Sequence, residues 1–493
     1  MKKNNLKFAT GLIALIFLAS CKPKNEEYAM IPNDVDTTCT VSQSEFNSWF
    51  VSGTAAENGA VNPANSVDFV HNDNCDFYKW SAQMFLWITS PEYGAGTTME
   101  SPVFYTVSPK EADGKRHLVP HKKGVLLRAM ANVEKTRRIN SEEGQATDDV
   151  LMDRNGNLVY YISMVNDVYA QFLTGVKDNK LNGNTFPTTA AQRDSIFAYA
   201  KANGVTLKDP NALAIELKTS WVVAETLKDA KDYVTIDAII PTYTKSDTVW
   251  TIKGERKAKL ALIGMHIVGS TSGHPEMVWA TFEHHKNAPN ASYQYINNKQ
   301  ETKTVPADGG KDWLLNTDAK DTAVNISHMK FYTDTVTNTS YIKNTPGYTI
   351  SPSNTQKTKP WGVAYSGQPN AENPTAAASN TEILSINSSI QKLLPGNDVR
   401  KRYLLLGATW TDGGAGPDGT SYSPTNTQAG TAIGTSQLAN STMETYIQNG
   451  TGYSKNGTCF YCHSNNGGLQ PGDLSHVFNA ILPLPNRNKT PIK

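Results

Sequence analysis

The sequence predicts an α+β fold rich in β-structure: a large, mainly antiparallel β body with a few peripheral helices, and a small C-terminal helical segment packed on it. Short apolar runs bounded by turn residues recur along the chain, whereas long Ala, Leu, Glu and Lys runs are scarce. The gaps between the middle runs are too short for the crossover helices that parallel strands require. The 493 residues, 39% of them hydrophobic, are sufficient to bury one large core or two smaller ones.

Charge excludes one class of partner. The 46 basic and 45 acidic residues leave a formal net charge of +1. A protein that binds phosphate backbones carries a basic patch or stripe, and no such stripe is visible in the sequence. We therefore expect no nucleic-acid partner.

The first twenty residues are predicted to be a targeting peptide. Two lysines open the chain, an apolar run covers residues 6–18, and the small-residue processing site LASC follows at 18–21. The run is too short for a comfortable membrane span, and no later stretch of about twenty apolar residues exists. Residues 1–20 are therefore interpreted as a signal peptide.

The processing site also resembles the bacterial lipobox. That resemblance implies cleavage before Cys21, a lipid on this cysteine, and attachment to a membrane through the lipid. Lys22 in the next position favours the outer membrane, with the periplasmic or the surface face left open, so the bacterial cell envelope is the expected location. The alternative is an ordinary secretory signal in which Cys21 is incidental. The polar segment 21–38 then forms a tether to the folded body.

The five cysteines divide into three groups. Cys21 belongs to the lipobox, Cys459 and Cys462 form a close pair near the C-terminus, and Cys39 and Cys75 remain. In an oxidising compartment the last two are expected to form a disulfide worth about 3–4 kcal/mol in the chain-entropy model. Two separately buried thiols are the alternative.

The body is expected to cover residues 39–410. A buried helix is predicted in CDFYKWSAQMFLWI with Asp76 as its N-cap, and an amphipathic helix is predicted over 188–205, ending at Asn203 and Gly204. Apolar runs between turn residues predict strands at 232–240, 248–252, 259–269, 276–284 and 402–410. Residues 411–436 are rich in Gly, Ser, Thr and Pro and predict a flexible linker, which leaves a separate segment at 437–493.

Residues 259–285 are predicted to form a β-hairpin. Alternation along the second strand places Met277, Trp279, Thr281, Glu283 and His285 on one face. The other face carries Glu276, Val278, Ala280, Phe282 and His284. The polar members, together with His274, either converge as metal ligands or acid/base groups, or simply cap the hairpin and bond to neighbouring backbone. His266 is interpreted as a core histidine with its hydrogen bonds satisfied.

The C-terminal segment contains the motif C-x-x-C-H at Cys459, Cys462 and His463. Two thiols at this spacing can add to both vinyl groups of one porphyrin, and the histidine after the second thiol is then placed to bind the iron. A redox motif of the thioredoxin type is disfavoured because no βαβ pattern surrounds these cysteines and because it would leave the role of His463 unexplained. A zinc knuckle needs a second ligand pair nearby. The motif therefore predicts one covalent haem c, with His463 as the proximal iron ligand.

This motif resembles that of c-type cytochromes. A wider similarity, carried by GMHIVGSTSGHPEMVWATFEHH at 264–285 and LANSTMETY at 438–446, resembles bacterial exported mono-haem lipoproteins of the cytochrome c family that have one late C-x-x-C-H. The similarity extends over most of the chain from CDFYKWSAQMFLW onward. It implies an architecture and a cofactor, and it transfers no activity.

The sixth iron ligand is left open among three residues. No methionine follows Met443, although small cytochromes c usually take their second ligand from a downstream methionine. His476 follows the motif closely. Met443 lies before it in a short predicted helix with a capping box at Ser441 and Glu444, where it can also serve only as packing on the porphyrin edge. His274 is the candidate from the body.

Three functions are compatible with these features. The favoured one is a membrane-anchored mono-haem electron carrier that exchanges electrons with redox partner proteins. The first alternative is a haem c oxidoreductase whose large body binds a substrate or a second cofactor, which would make the chain an enzyme. The second is a binding lipoprotein in which the haem is structural.

Overall fold

The computed structural model describes residues 31–92, 96–111, 113–122, 125–129, 149–334, 339–362, 374–418, 429–435, 437–448, 459–464 and 467–485. The predicted signal peptide 1–20 and the predicted lipidation site Cys21 lie outside these ranges. Of the described residues, 30% lie in strands and 23% in helices, and the sheets are mostly antiparallel. This confirms the predicted β-rich α+β class. Within the described ranges, no helix has the length and apolar character needed to cross a membrane.

The helices are α1 (Gln43–Trp49), α2 (Asn74–Ile88), α3 (Asp167–Lys177), α4 (Ala190–Ala202), α5 (Pro374–Leu393), α6 (Cys459–Cys462) and α7 (Pro471–Leu474). The strands are β1 (Pro91–Glu92), β2 (Gly96–Thr97), β3 (Phe104–Val107), β4 (Leu118–Pro120), β5 (Leu127–Arg128), β6 (Tyr160–Asn166), β7 (Ile215–Val223), β8 (Thr235–Lys245), β9 (Val249–Thr271), β10 (His274–His284), β11 (Tyr293–Ile296), β12 (Thr302–Val305), β13 (Met329–Asp334), β14 (Thr339–Asn344), β15 (Tyr403–Thr411) and β16 (Ala432–Gly434).

A twelve-stranded sheet forms the body. Its main path runs β16-β15-β10-β9-β7-β6-β3-β4, and β8 and β14 join it along β9, bringing β5 and β13 with them. Among these strand pairs, β5 and β8 run parallel and the others antiparallel. The hairpin predicted at 259–285 is the pair β9–β10 at the centre of this sheet.

Strand β9 differs from the prediction of two strands at 248–252 and 259–269. Both belong to one strand of 23 residues. Its polar middle, KGERKA, continues the ladder because it pairs with β8 while its side chains lie largely in solvent. The first half of β9 therefore pairs with β8 and β14, and the second half with β7 and β10.

The two predicted helices form as α2 and α4. Helix α2 begins earlier than predicted: Asp73, rather than Asp76, is its N-cap, because Asp73 Oδ1 accepts the amide of Asp76. Helix α4 has a capping box at Thr189 and ends at Asn203, as the sequence indicates.

One face of the sheet is covered by α2 and α5. Phe85 of α2 stacks on Phe282 of β10 with 4.4 Å between ring centroids. Asn387 of α5 donates to the carbonyl of Leu405 on β15 and accepts that residue's amide, so the helix is tied to the sheet by its polar side chain as well as by packing. This layer and the sheet enclose the largest apolar cluster of the protein.

The N-terminal part of the body is attached to this layer by the Cys39–Cys75 disulfide, which confirms the predicted pairing. Ser385 of α5 bonds to both backbone groups of Cys39. The predicted tether 21–38 is not free along its whole length, because Val35 is buried and forms a β-bridge with Asn297.

The described residues of the C-terminal segment from Cys459 onward pack on the opposite side, against α3 and β3. Tyr169 of α3 hydrogen-bonds Ser475 across 2.9 Å, and Ile481 forms a β-bridge with Arg116. The predicted linker 411–436 is also partly regular: its first residue ends β15, and β16 adds to the edge of the sheet. The glycine and threonine residues of this segment do not prevent strand formation at β16, because the backbone groups of β15 are available as hydrogen-bond partners.

Candidate functional site

The C-x-x-C-H motif lies on the single turn of helix α6. Cys459 and Cys462 are both free thiols on that turn; Cys459 is partly buried and Cys462 is exposed. Burial, and next the charge of Glu444, raises the pKa of both thiols above the ordinary value, so both stay protonated at neutral pH. The amide of His463 donates to the carbonyl of Cys459 across 3.0 Å and closes the turn.

His463 is held in one tautomer by the chain that follows it. Its Nδ1 lies 2.6 Å from the carbonyl oxygen of Leu474. A carbonyl only accepts, so Nδ1 carries the proton and Nε2 keeps a free lone pair. Burial, and next the neighbouring His476, lowers the pKa of His463 well below its ordinary value, which keeps the ring neutral.

Trp279 of β10 forms the wall behind the motif. Its ring lies 4.3 Å from the His463 ring and 5.8 Å from that of Phe460, measured between centroids. Phe460 is fully buried, and Trp279 is 9% exposed. The motif therefore sits on the central hairpin of the sheet, while Tyr461, 40% exposed, marks the side that faces solvent.

His476 is brought directly to His463. The two rings stack at 4.0 Å with an angle of 14° between their planes. Nε2 of His476 is 3.1 Å from the carbonyl oxygen of Cys462. Of the three predicted sixth ligands, this residue is the one that contacts His463.

Met443 lies elsewhere. Its side chain is fully buried in an apolar cluster with Tyr161 of β6, Ile263 of β9 and Leu315. The predicted helix around it is instead a turn followed by a 3-10 helix at Thr445–Ile447. The predicted helix does not form because the side chains of Ser441 and Glu444 bond to the sheet, to Glu283 and His266.

Residues 440–444 dock on the polar face of the central strands, and we call them the docking segment. Asn440 donates to Thr281, and the amide and hydroxyl of Ser441 both donate to Glu283 of β10. Ser441 is thus not the predicted helix cap. Asn440 stabilises the turn instead, since its Oδ1 accepts the amide of Thr442.

The other end of the docking segment carries an ion pair. Glu444 Oε1 is 2.9 Å from Nε2 of His266 on β9, and each side chain is about one-fifth exposed. Burial raises the pKa of Glu444, but the charges of His266 and Lys218 outweigh it, so the pKa lies below its ordinary value. His266 is satisfied by this contact, as the sequence interpretation expected.

Gly264 of β9 explains how closely the docking segment approaches the sheet. A Cβ atom at this position would lie 2.4 Å from Thr442 Oγ1 and 2.6 Å from Ser220 Oγ. These two hydroxyls are themselves 2.6 Å apart. The absent side chain is therefore what lets the segment that precedes the C-x-x-C-H motif lie against the strands.

The polar hairpin residues do not all converge on one site, although His274 Nδ1 and Glu276 Oε1 lie 2.7 Å apart. Glu283 binds the docking segment, while His284 stacks on Tyr233 with 3.8 Å between centroids and bonds to the carbonyl of Asp232. Burial lowers the pKa of His285 to about 3. His274 lies at the start of β10 beside Phe77 of α2, so it belongs to the other face of the sheet from His463.

The donor set of the C-x-x-C-H motif fits haem attachment. Two free thiols lie one turn apart, and a neutral imidazole with its Nδ1–H on a backbone carbonyl presents Nε2, the arrangement in which metal-binding histidines are usually held. Within the described ranges no group of three or more His, Cys, Asp and Glu could hold a metal ion by itself.

Comparisons with known proteins give no further assignment, because no protein-family model, no curated protein and no solved structure matches this chain.

Sequence reasoning missed three features, two at this site and one on the far side of the sheet. The carbonyl of Leu474 carries no sequence signal, because every residue has one. Trp279 was placed correctly on one face of its strand, but nothing in the strand pattern shows what covers that face. His71, which contacts His274, follows an exposed loop with no motif around it. The glycine at 264 is a signal that could have indicated a close approach.

Proposed function

We propose that this protein is a membrane-anchored mono-haem c-type cytochrome that carries electrons in the bacterial cell envelope. One observation carries the proposal: two free thiols one turn apart lie beside a neutral histidine whose Nδ1–H is engaged by the Leu474 carbonyl and whose Nε2 keeps a lone pair with no partner among the described residues. This combination of groups serves haem c attachment and has no evident structural purpose otherwise.

Each residue of the motif has a distinct task. Cys459 and Cys462 would hold a porphyrin covalently, and His463 would supply a nitrogen to its iron. The Leu474 carbonyl holds that imidazole in one tautomer and strengthens its basicity. Trp279 and buried Phe460 exclude water from one side. When bound, the haem supplies a one-electron couple, which redox partner proteins reach from the solvent side.

His476 is the residue that we propose would supply a second ligand to the haem iron. It is the imidazole in contact with His463, whereas Met443 is buried in a body cluster and His274 lies across the sheet. The His463 and His476 rings stack face to face, so His476 can bind iron only after its ring leaves this stack. Met443 contributes packing of the docking segment.

The test uses the mature chain produced in a host that attaches haem to C-x-x-C-H motifs. We expect one haem per chain, retained under denaturing conditions, and a low-spin reduced spectrum that does not change with carbon monoxide. His476→Ala should convert it to a high-spin spectrum that carbon monoxide shifts, and Met443→Leu, a volume-conserving control, should leave it low-spin.

Three results would contradict parts of this proposal. If the wild type contains no more covalent haem than a control that combines Cys459→Ala and Cys462→Ala, the haem cofactor is refuted. A wild-type spectrum that is high-spin and shifts with carbon monoxide refutes the electron carrier and favours the oxidoreductase. A low-spin spectrum in His476→Ala refutes the assignment of His476.

The membrane anchor is proposed from the lipobox alone. Expressed with its leader, the chain should partition with the membrane fraction, and Cys21→Ser should release it to the soluble fraction because the acylated residue is gone. Equal partition of both chains contradicts a lipid at Cys21.

A further inference from the structure

A second histidine cluster lies on the far side of the sheet from the C-x-x-C-H motif. Nε2 of His274, at the start of β10, is 3.2 Å from Nε2 of His71, which precedes helix α2. The rings meet edge to face, and Phe77 packs on both of them. Neither the proposed haem function nor the hairpin requires this pairing.

A buried carboxylate orients the inner histidine. Oε1 of Glu276 lies 2.7 Å from His274 Nδ1 and also accepts the amide of Thr411. The side chain of Glu276 is fully buried, and that of His274 is 5% exposed. The second oxygen, Oε2, has no hydrogen-bond partner among the described residues. An oxygen buried without a hydrogen-bond partner is costly unless a positive charge lies nearby.

The hydrogen bonds decide where the protons are. Because a carboxylate oxygen accepts, Nδ1 of His274 carries the proton of this contact, and in the neutral ring its Nε2 is a lone pair that faces His71. The two facing nitrogens therefore share either a proton or a cation.

We propose that His71 and His274 bind a late first-row divalent cation, Zn²⁺ or Cu²⁺, through their Nε2 atoms, with Glu276 as the carboxylate that orients His274. Two imidazole nitrogens at about 2.0–2.1 Å from a tetrahedral ion lie about 3.3 Å apart, close to the 3.2 Å observed here. Imidazole suits these ions, and a carboxylate on the remote Nδ1–H is the usual support of a metal-binding histidine.

The surroundings allow such an ion to enter and to complete its coordination. His71 is exposed, so one side of the pair faces solvent and water can supply the remaining ligands. The negative charge of Glu276 lies directly behind His274, and that of Asp76 is near His71. Both carboxylates offset the positive charge of a bound cation. A hydrogen bond between two neutral rings would bring no positive charge for them to offset.

The test is a Zn²⁺ titration of the mature chain against a chromophoric chelator, comparing the wild type with His71→Ala. His71 is exposed, so its replacement is expected to leave the fold intact. We expect His71→Ala to bind one zinc ion fewer per chain. Any zinc held by the thiols of the C-x-x-C-H motif is common to both chains and does not affect the difference.

Two further variants separate metal binding from a structural role. Glu276→Gln keeps an acceptor for Thr411 but loses the charge, and is expected to weaken zinc binding about 10–100-fold. His117→Ala removes an exposed histidine that also has a carboxylate, Glu111, at 3.4 Å and should change nothing. Equal zinc stoichiometry and affinity in the wild type and His71→Ala overturns the proposal and leaves the pair as a hydrogen bond only.

Discussion

Replacing Gly264 by alanine tests whether the docking segment depends on a close approach to the sheet. The new Cβ would lie 2.4 Å from Thr442 Oγ1, 2.6 Å from Ser220 Oγ and 3.1 Å from Asn440 Oδ1. Two of these atoms belong to the docking segment, and all three are buried. Either the segment shifts away or its hydrogen bonds lengthen, and overpacking of this kind costs about 1–3 kcal/mol.

Gly254→Ala is the matched control, because Gly254 lies on the same strand β9 and a Cβ there has its nearest neighbour, Thr242 Oγ1, at 3.6 Å. Alanine in a strand is favoured over glycine by about 0.5–1 kcal/mol, so this variant should equal or exceed the wild type. Urea unfolding followed by tryptophan fluorescence gives both free energies of unfolding.

Hydrogen exchange adds a local measurement. The amides of Ser441 and Thr442 donate to Glu283 and Asn440, so both should exchange faster in Gly264→Ala than in the control. If Gly264→Ala unfolds at the same urea concentration as Gly254→Ala, and these amides remain protected, the close approach does not hold the segment and our account is wrong.

Two further predictions concern stability. Replacing Cys39 and Cys75 by serine opens a loop with a sequence separation of 36, and the chain-entropy model gives a loss of about 4 kcal/mol; equal urea midpoints for this variant and the oxidised wild type would contradict it. Burial raises the pKa of Glu444, but the charges of His266 and Lys218 and the hydrogen bonds to the carboxylate together lower it below its ordinary value of 4.5. Its contribution to stability is therefore present above pH 4.5 and lost as the pH falls below that value, so Glu444→Gln should unfold with a shallower acid dependence, and an unchanged dependence would refute this.

Local patterns predicted the secondary structure that frames the site. The capping residues of α4, the alternation along β10 and the apolar runs of β8 and β15 each depend on neighbours within a few residues, and each was found near its predicted position. The errors were also local: Asp73 and Asp76 both suit a helix cap, and the geometry of the first turn selects Asp73.

The contacts that build the site could not be predicted in this way. Glu444 and His266 are 178 residues apart, and His71 and His274 are 203 apart. A capping-box pattern at Ser441 and Glu444 indicated a helix, but both side chains bond to the sheet instead. The gain from satisfying buried polar groups on β9 and β10 exceeds that from one short helical turn.

The sequence by itself determined the β-rich class, the antiparallel pairing, the Cys39–Cys75 pairing and the position of the C-x-x-C-H motif, because turn chemistry, residue period and cysteine count act over short distances or by elimination. Only the tertiary structure decided which surface the motif lies on, that Leu474 fixes the tautomer of His463, and that His476 rather than Met443 contacts it. These outcomes depend on the order of strands in the sheet and on which buried polar groups find partners across it. Neither can be inferred from a short stretch of the sequence.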